Sequence, residues 1–237
     1  MMKRIYFAGG CFWGTEHYMR QFDGVIETET GYANGHLADP TYQQVYTDQT
    51  GHAECVKVVY EPETISLATL CRLFFKSIDP LLKNRQGDDC GTRYRTGIYW
   101  NDPSDQVVVC QIYEEVSKVY GRPLAVETGP LEVFYPAEEY HQDYLVRNPE
   151  GYCHISLATM KFAREYSEIT RELKSVSDQD TKMVAIKHKD TSYDVIEALI
   201  ASDSHECRLC ALFILEEKYR SDKETAANFL EMNKDRR

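Results

Sequence analysis

Ile5-Tyr6-Phe7-Ala8-Gly9-Gly10-Cys11-Phe12-Trp13-Gly14-Thr15-Glu16-His17-Tyr18-Met19-Arg20 changes character halfway along its length. The apolar run Ile5–Ala8 reads as a buried strand, and Thr15 to Arg20 reads as a helix. Gly9 and Gly10 between them let the backbone turn sharply and let a ligand come close. Cys11 therefore falls near the first turn of a helix, among unpaired N–H groups at the positive end of the dipole. That setting favours the thiolate, the reactive form of cysteine. Phe12 and Trp13 add two aromatic faces beside the sulfur, enough for a small apolar pocket.

Outward from this turn the pattern repeats with variations. Val25–Tyr32 is rich in β-formers and predicts a strand; Ala33–Tyr42 is turn-rich, and Gln43–Gly51 is polar and irregular. His52–Tyr60 predicts the next strand, ended by Glu61-Pro62. Leu67, Leu70, Cys71 and Phe74 mark an amphipathic helix over Ser66–Lys76. Asp79–Arg93 lacks any period and predicts a long surface loop. Thr96–Trp100 is a strand. Asp102-Pro103 then has the chemistry of a helix start, with Val108, Ile112, Val116 and Val119 as the apolar face. Leu124–Thr128 and Leu131–Tyr135 predict two further strands, and Glu138–Leu145 a short helix around His141. Strands and helices alternate with mixed connections and long loops, which predicts an α+β fold with a mixed sheet and packed helices.

From Met160 the chain becomes helical. Asp178–Asp190 reads as a polar hinge with a small apolar core at Met183–Ile186. Three helical segments follow, carrying Val195, Ile196, Leu199 and Ile200, then Cys207, Cys210, Ala211 and Ile214, then Ala227, Phe229 and Leu230. Ser221 with Glu224 suggests a capping box before the last of them. The expected division is a catalytic domain over 1–160, a helix and hinge over 161–190, and a small helical module over 191–237.

The chain has 237 residues, 43% hydrophobic and 27% charged, which fits a globular protein. A formal net charge of −11 argues against a nucleic-acid partner, which needs a basic surface. No apolar run has the length of a membrane span or of a secretory leader, so no membrane association and a cytoplasmic location are expected. The 8 cysteines are then reduced thiols, metal ligands or catalytic groups before they are a disulfide framework.

A nucleophilic Cys11 needs a group that manages protons. Glu54, flanked by Ala53 and Cys55-Val56 on its strand, is the candidate: a carboxyl turned inward among aromatics has a raised pKa and can donate. Cys207-Arg208-Leu209-Cys210 offers a possible second redox pair, or half a zinc site with His205 nearby. Its position on a helical stripe reads more simply as two small hydrophobes. Cys55, Cys71, Cys90 and Cys110 read as packing or incidental thiols.

Gly9–Gly14 with Glu16, then Gly31-Tyr32 with Pro40-Thr41-Tyr42, Thr50–Glu54, Asp89 with Gly91–Arg95, and Tyr140-His141-Gln142 with Asn148-Pro149 together resemble the A-type peptide-methionine (S)-S-oxide reductases. The blocks follow that family's order across about residues 3–157. The resemblance implies a ferredoxin-like α-β plait with a helical C-terminal extension. It implies reduction of free and protein-bound methionine-S-sulfoxide by Cys11 as nucleophile, with Glu54 as proton donor and Tyr42 and Tyr94 as hydroxyl donors. Phe12 and Trp13 would cage the substrate methyl group, and Asp89 would lie near the substrate backbone. Cys153 would resolve the Cys11 sulfenic acid as a disulfide, which a thioredoxin-like dithiol reduces, with no metal or organic cofactor. Two other readings stand beside it: a hydrolase or acyl transferase pairing Cys11 with His52 or His141, and a non-catalytic redox-sensing module.

Overall fold

The structure, a computed structural model, describes residues 1–177 and 180–232. The chain divides into two compact units, Met1–Met160 and Lys161–Arg237.

The first unit is built on β1 (Lys3–Gly9), α1 (Phe12–Met19), β2 (Val25–Ala33), α2 (Tyr42–Tyr46), β3 (Ala53–Tyr60) and α3 (Leu67–Ser77). A two-stranded hairpin follows, β4 (Arg85–Gln86) with β5 (Asp89–Cys90). Then come β6 (Thr96–Trp100), α4 (Asp105–Tyr120), β7 (Glu127–Pro130), β8 (Phe134–Pro136) and α5 (Tyr144–Arg147). Six strands form one sheet in the order β7-β6-β1-β3-β2-β8, antiparallel throughout except for the β6–β7 pair. Its centre, β6-β1-β3-β2 with α1 and α3 as crossovers, is a ferredoxin-like split β-α-β arrangement. The expected α+β architecture is what the chain adopts.

β1 is apolar on both faces because both are covered. Phe7 stacks on Phe74 of α3 with ring centroids 4.7 Å apart, and the Tyr18 hydroxyl of α1 donates to the Leu73 carbonyl at 3.0 Å. On the other face Tyr6 and Ala8 pack with Ala33, Ala53, Cys55 and Tyr99, under Leu131 and Phe134. The register then assembles the site. Gly9 pairs with Thr96, Phe7 with Val56 and Tyr32 with Glu54, so the end of β1 meets the starts of β3 and β6.

Several local expectations are corrected. Tyr42–Tyr46 is a helix, closed by a capping box in which Thr41 and Gln44 satisfy each other's backbone N–H. α4 begins at Asp105 because the Asp102 carboxylate accepts from Ser104 N at 2.9 Å in a turn before the helix. Val109 and Ile112 face inward, whereas Val119 is 67% exposed. Residues 124–125 are not a strand: Tyr113 holds both backbone groups of Leu124, and Ala125 N donates to Pro80 O. Glu138–Leu145 splits into a 3-10 turn at Glu139–His141 and α5, because Asp143 adopts φ +53 with its N–H on Glu16 Oε2. The Asp79–Arg93 loop is stitched by Gln86, which both accepts from Asp79 N and donates to Asp79 O at 2.8 Å.

The second unit is helical. α6 (Leu157–Leu173) enters it, followed by α7 (Thr181–Lys187), α8 (Tyr193–Ile200), α9 (His205–Ser221) and α10 (Lys223–Met232). Helices α7, α8 and α10 pack on α9, with Val195, Ile196, Leu199, Cys207, Cys210, Ala211 and Ile214 buried. The stretch expected as a hinge therefore contains α7, while its residues 178 and 179 lie outside the described residues. The box expected at Ser221 rests on a side chain outside those described; the Asp222 carboxylate accepts from Thr225 N at 3.1 Å. Among the described residues, no helix is long and apolar enough to cross a membrane.

Candidate active site

Gly10 turns the chain with φ +87, against the Gln86 side chain, so that Cys11 becomes the N-cap residue of α1. The first N–H groups of α1 have no helical partner, and one is claimed at once: Phe12 N donates to Glu54 Oε2 at 3.0 Å. That bond fixes the carboxyl group of β3 against the cysteine turn. Glu54 and Cys11 are both buried. Burial pushes the Glu54 carboxyl up to about 8, against the opposing pull of the Phe12 N–H. Near neutral pH it is an acid that can give a proton.

Cys11 departs from its expected state. Burial raises its thiol well above the ordinary range, the Glu54 charge adds to this, and backbone N–H groups of Trp13 and Gly14 only partly offset both. The helix N-terminus does not make a resting thiolate here. Since two anions in one buried site repel, thiolate at Cys11 goes with a protonated Glu54.

Tyr42 and Tyr94 both feel the Glu54 and Cys11 charges. Burial is the main cause that pushes Tyr42 up to about 12 and raises Tyr94, so both keep their hydroxyl protons as donors. Tyr94 is held by Arg93, whose guanidinium sits 4.4 Å from the Tyr94 ring and 4.3 Å from the Tyr46 ring. Asp48 anchors that arginine through both its side chain, at 2.6 Å, and its backbone N–H, at 2.9 Å.

Phe12 and Trp13 form part of a wider aromatic wall. Trp13 stacks on Tyr144 at 3.7 Å and donates from Nε1 to His141 Nδ1 at 3.1 Å. His141 packs on Phe12 at 5.0 Å and on Tyr42 at 4.5 Å. Gln142 pins this segment to β2 by exchanging hydrogen bonds with both backbone groups of Thr30. Glu138 accepts from the Tyr32 hydroxyl at 2.7 Å and from Tyr42 N at 2.8 Å, tying two tyrosines of the wall together.

Asp89 lies at the same site: one of its carboxylate oxygens, Cys11 Sγ and a ring nitrogen of His154 are all within 4.8 Å of one another. Tyr152 donates to Asp89 Oδ2 at 3.0 Å. Cys153 is next to Tyr152, and its sulfur lies beside the first turn of α1, 3.3 Å from where a Cβ on Gly14 would sit. Burial raises its thiol as well.

The N-terminal candidates thus come together; Cys207 and Cys210 belong to the other unit, both buried in α9. Burial raises Cys207 and pushes Cys210 up to about 12. Among the described residues, neither joins a group of three closely spaced candidate metal ligands. The histidines proposed as hydrolase bases are otherwise engaged. His52 uses Nδ1 to accept from Gly35 N and Nε2 on Leu37 O, and His141 Nδ1 is occupied by Trp13. The sequence marks Tyr32 and Arg93 only as members of the family blocks, with no role, and does not single out Glu138, Tyr144 or His154. Glu138 and Arg93 carry no local signal of burial.

Comparison with known proteins adds an independent finding. A family model described as peptide methionine sulfoxide reductase matches residues 3–173. Peptide methionine sulfoxide reductase MsrA of Mycoplasma pneumoniae is 50% identical over 154 residues, 65% of this chain and 98% of that protein. The MsrA of Clostridium acetobutylicum is 50% identical over 160 residues, 68% of this chain and 99% of that protein. The crystal structure of reduced Mxr1 from Saccharomyces cerevisiae superposes with a TM-score of 0.63 at 39% identity, over 66% of this chain and 92% of that one. A second model, described as DNA alkylation repair enzyme, matches residues 156–236.

Proposed function

The chain belongs to the peptide methionine sulfoxide reductases and reduces methionine-(S)-sulfoxide by a thiol-dependent route, and on that premise we propose that Cys11 is the nucleophile and Glu54 its proton donor. The observation that carries this is the Phe12 N–H bond to Glu54, which fixes a protonated carboxyl beside the buried thiol. A sulfoxide sulfur becomes electrophilic when its oxygen is protonated or strongly hydrogen-bonded, and Glu54, Tyr42 and Tyr94 are the donors for that oxygen. Phe12 and Trp13 receive the methyl group, and Asp89 faces the substrate backbone.

As the Cys11 sulfur attacks, the S–O bond of the substrate breaks, methionine leaves and the oxygen remains on Cys11 as a sulfenic acid. The proton lost by Cys11 ends, through Glu54, on that oxygen. Cys153 then condenses with the sulfenic acid, forming a disulfide and water, and a thioredoxin-like dithiol reduces it. A dithiol supply of that kind fits a cytoplasmic setting. Residues 1–160 are the catalytic domain, and the helical unit of residues 161–237 follows it, with α7 packed on α9 and so part of that unit. The match to the DNA alkylation repair model covers only residues 156–236, a stretch that carries 13 Lys/Arg against 16 Asp/Glu and so has no basic excess.

A single-turnover assay tests the core of this reading. Prereduced protein, with no external reductant, should form one equivalent of methionine from the (S)-sulfoxide, and Cys11→Ser should form none. Turnover by Cys11→Ser would overturn it.

A further inference from the structure

His154 follows the proposed resolving cysteine directly in sequence, and its ring has a fixed orientation. Nε2 lies 2.9 Å from the Gly9 carbonyl oxygen. That oxygen can only accept, so Nε2 carries the ring proton and Nδ1 keeps a free lone pair. Nδ1 is buried and has no hydrogen-bond partner. A buried acceptor left unpaired is costly, so the site holds this nitrogen ready for a proton that comes from elsewhere.

Two thiols lie near the ring: Cys11, and Cys153, whose S–H rests on the Ile155 carbonyl at 3.5 Å. A Cβ on Gly14 would lie 2.8 Å from His154 Nδ1 and 3.3 Å from Cys153 Sγ, so the nitrogen and the sulfur flank one small gap. Only glycine leaves that gap open. Cys11 Sγ lies within 4.8 Å of a His154 ring nitrogen, with an Asp89 carboxylate oxygen equally near. The mechanism above leaves one proton movement without an owner, because Glu54 serves the sulfoxide step and faces Cys11 from the β3 side. The resolving step needs a proton removed from Cys153 and a proton added to the departing oxygen.

We propose that His154 is the proton shuttle of disulfide formation. Resting on the assignment of Cys153 as the resolving thiol, the step runs as follows. The Cys153 S–H proton moves to His154 Nδ1 while the Cys153 sulfur attacks the Cys11 sulfur. The S–S bond forms and the S–O bond of the sulfenic acid breaks. The leaving hydroxide takes the same proton from the imidazolium and departs as water, and the imidazole is neutral again. The Cys153 sulfur is oxidised and the Cys11 sulfur reduced to the disulfide level, so no further oxidant or reductant enters.

His154→Gln tests this in the full chain, because an amide can still donate to Gly9 O but cannot accept the proton. After one equivalent of sulfoxide, methionine formation should lose far less than disulfide formation does. The Cys11–Cys153 disulfide should form about 100-fold more slowly, the lower end of what a positioned acid–base group supplies. A sulfenic acid trappable by dimedone should persist at Cys11. In His154→Gly, added imidazole should restore disulfide formation. Wild-type disulfide rates in His154→Gln would overturn the proposal, as would an equal loss of methionine formation, which would mark a structural role. Cys153→Ser separates the two layers: a lasting sulfenic acid there supports the resolving assignment, whereas a new intramolecular disulfide overturns that assignment and the shuttle with it.

Discussion

Cys11 and the Cys207–Cys210 pair are all buried thiols whose protons are held tightly, yet their surroundings differ in kind. Burial is the first cause of the raised thiol in each of them. Around Cys11 the chain has placed Glu54, Asp89 and His154, groups that can give or accept a proton. Cys207 and Cys210 lie in α9 on a stripe with Ala211 and Ile214. Burial by itself silences a cysteine. Reactivity comes from burying a proton donor with it, so that thiolate and acid form together.

The largest effect should come from Cys11→Ser, which removes the thiol whose turn is hydrogen-bonded to Glu54 and should abolish methionine formation in a single-turnover assay. Cys153→Ser should next stop multiple turnover with thioredoxin or dithiothreitol while leaving one equivalent of methionine. Unchanged cycling would move the resolving role towards the C-terminal pair and erase the contrast. Glu54→Gln should slow the chemical step by about 10²- to 10⁴-fold, measured by rapid quench, while Cys11 remains open to alkylation.

The pH dependence sharpens the same point. With Glu54 at about 8, the rate of the chemical step should fall as pH rises through about 8, and this limb should vanish in Glu54→Gln. Stability follows with a defined sign. The folded-state pKa lies above the unfolded value of about 4.3, so folding favours the protonated acid. The contribution of Glu54 is full below about pH 4 and declines steadily up to about 8. Glu54→Gln should therefore unfold at a higher temperature than wild type at pH 8 and show little gain at pH 4, as read by calorimetry. The smallest effect belongs to Cys207→Ala with Cys210→Ala: cycling unchanged, with stability lower by about 1–2 kcal/mol from lost packing.

What could be read from the sequence follows the range of the interactions involved. The strand, glycine turn and helix around Cys11 are local, and so is the strand signal over His52–Tyr60 that marks β3. Phe12, Trp13, Tyr42 and Asp89 were recoverable because ordered blocks of residues carry them together. The helix N-terminus beside Cys11 is visible locally, whereas burial of the thiol, and after it the charge of Glu54 43 positions on, oppose the thiolate and are not. Tyr42–Tyr46 has no helical period of its own, yet Thr41 and Gln44 spell its capping box. The division of residues 138–145 depends on Glu16 reaching Asp143, a contact between distant segments. His154 had no signal beyond its place after Cys153; its meaning lies in a bond to Gly9, 145 residues away.

The central claim is that oxidising equivalents pass from substrate to Cys11 and then to Cys153. Peptide mapping by mass spectrometry after one reductant-free turnover tests it most directly. The account predicts one equivalent of methionine and a single new disulfide joining Cys11 to Cys153, with Cys207 and Cys210 still alkylatable after unfolding. A disulfide joining Cys11 to Cys207 or Cys210, or methionine formed with Cys11 still a free thiol, would contradict it.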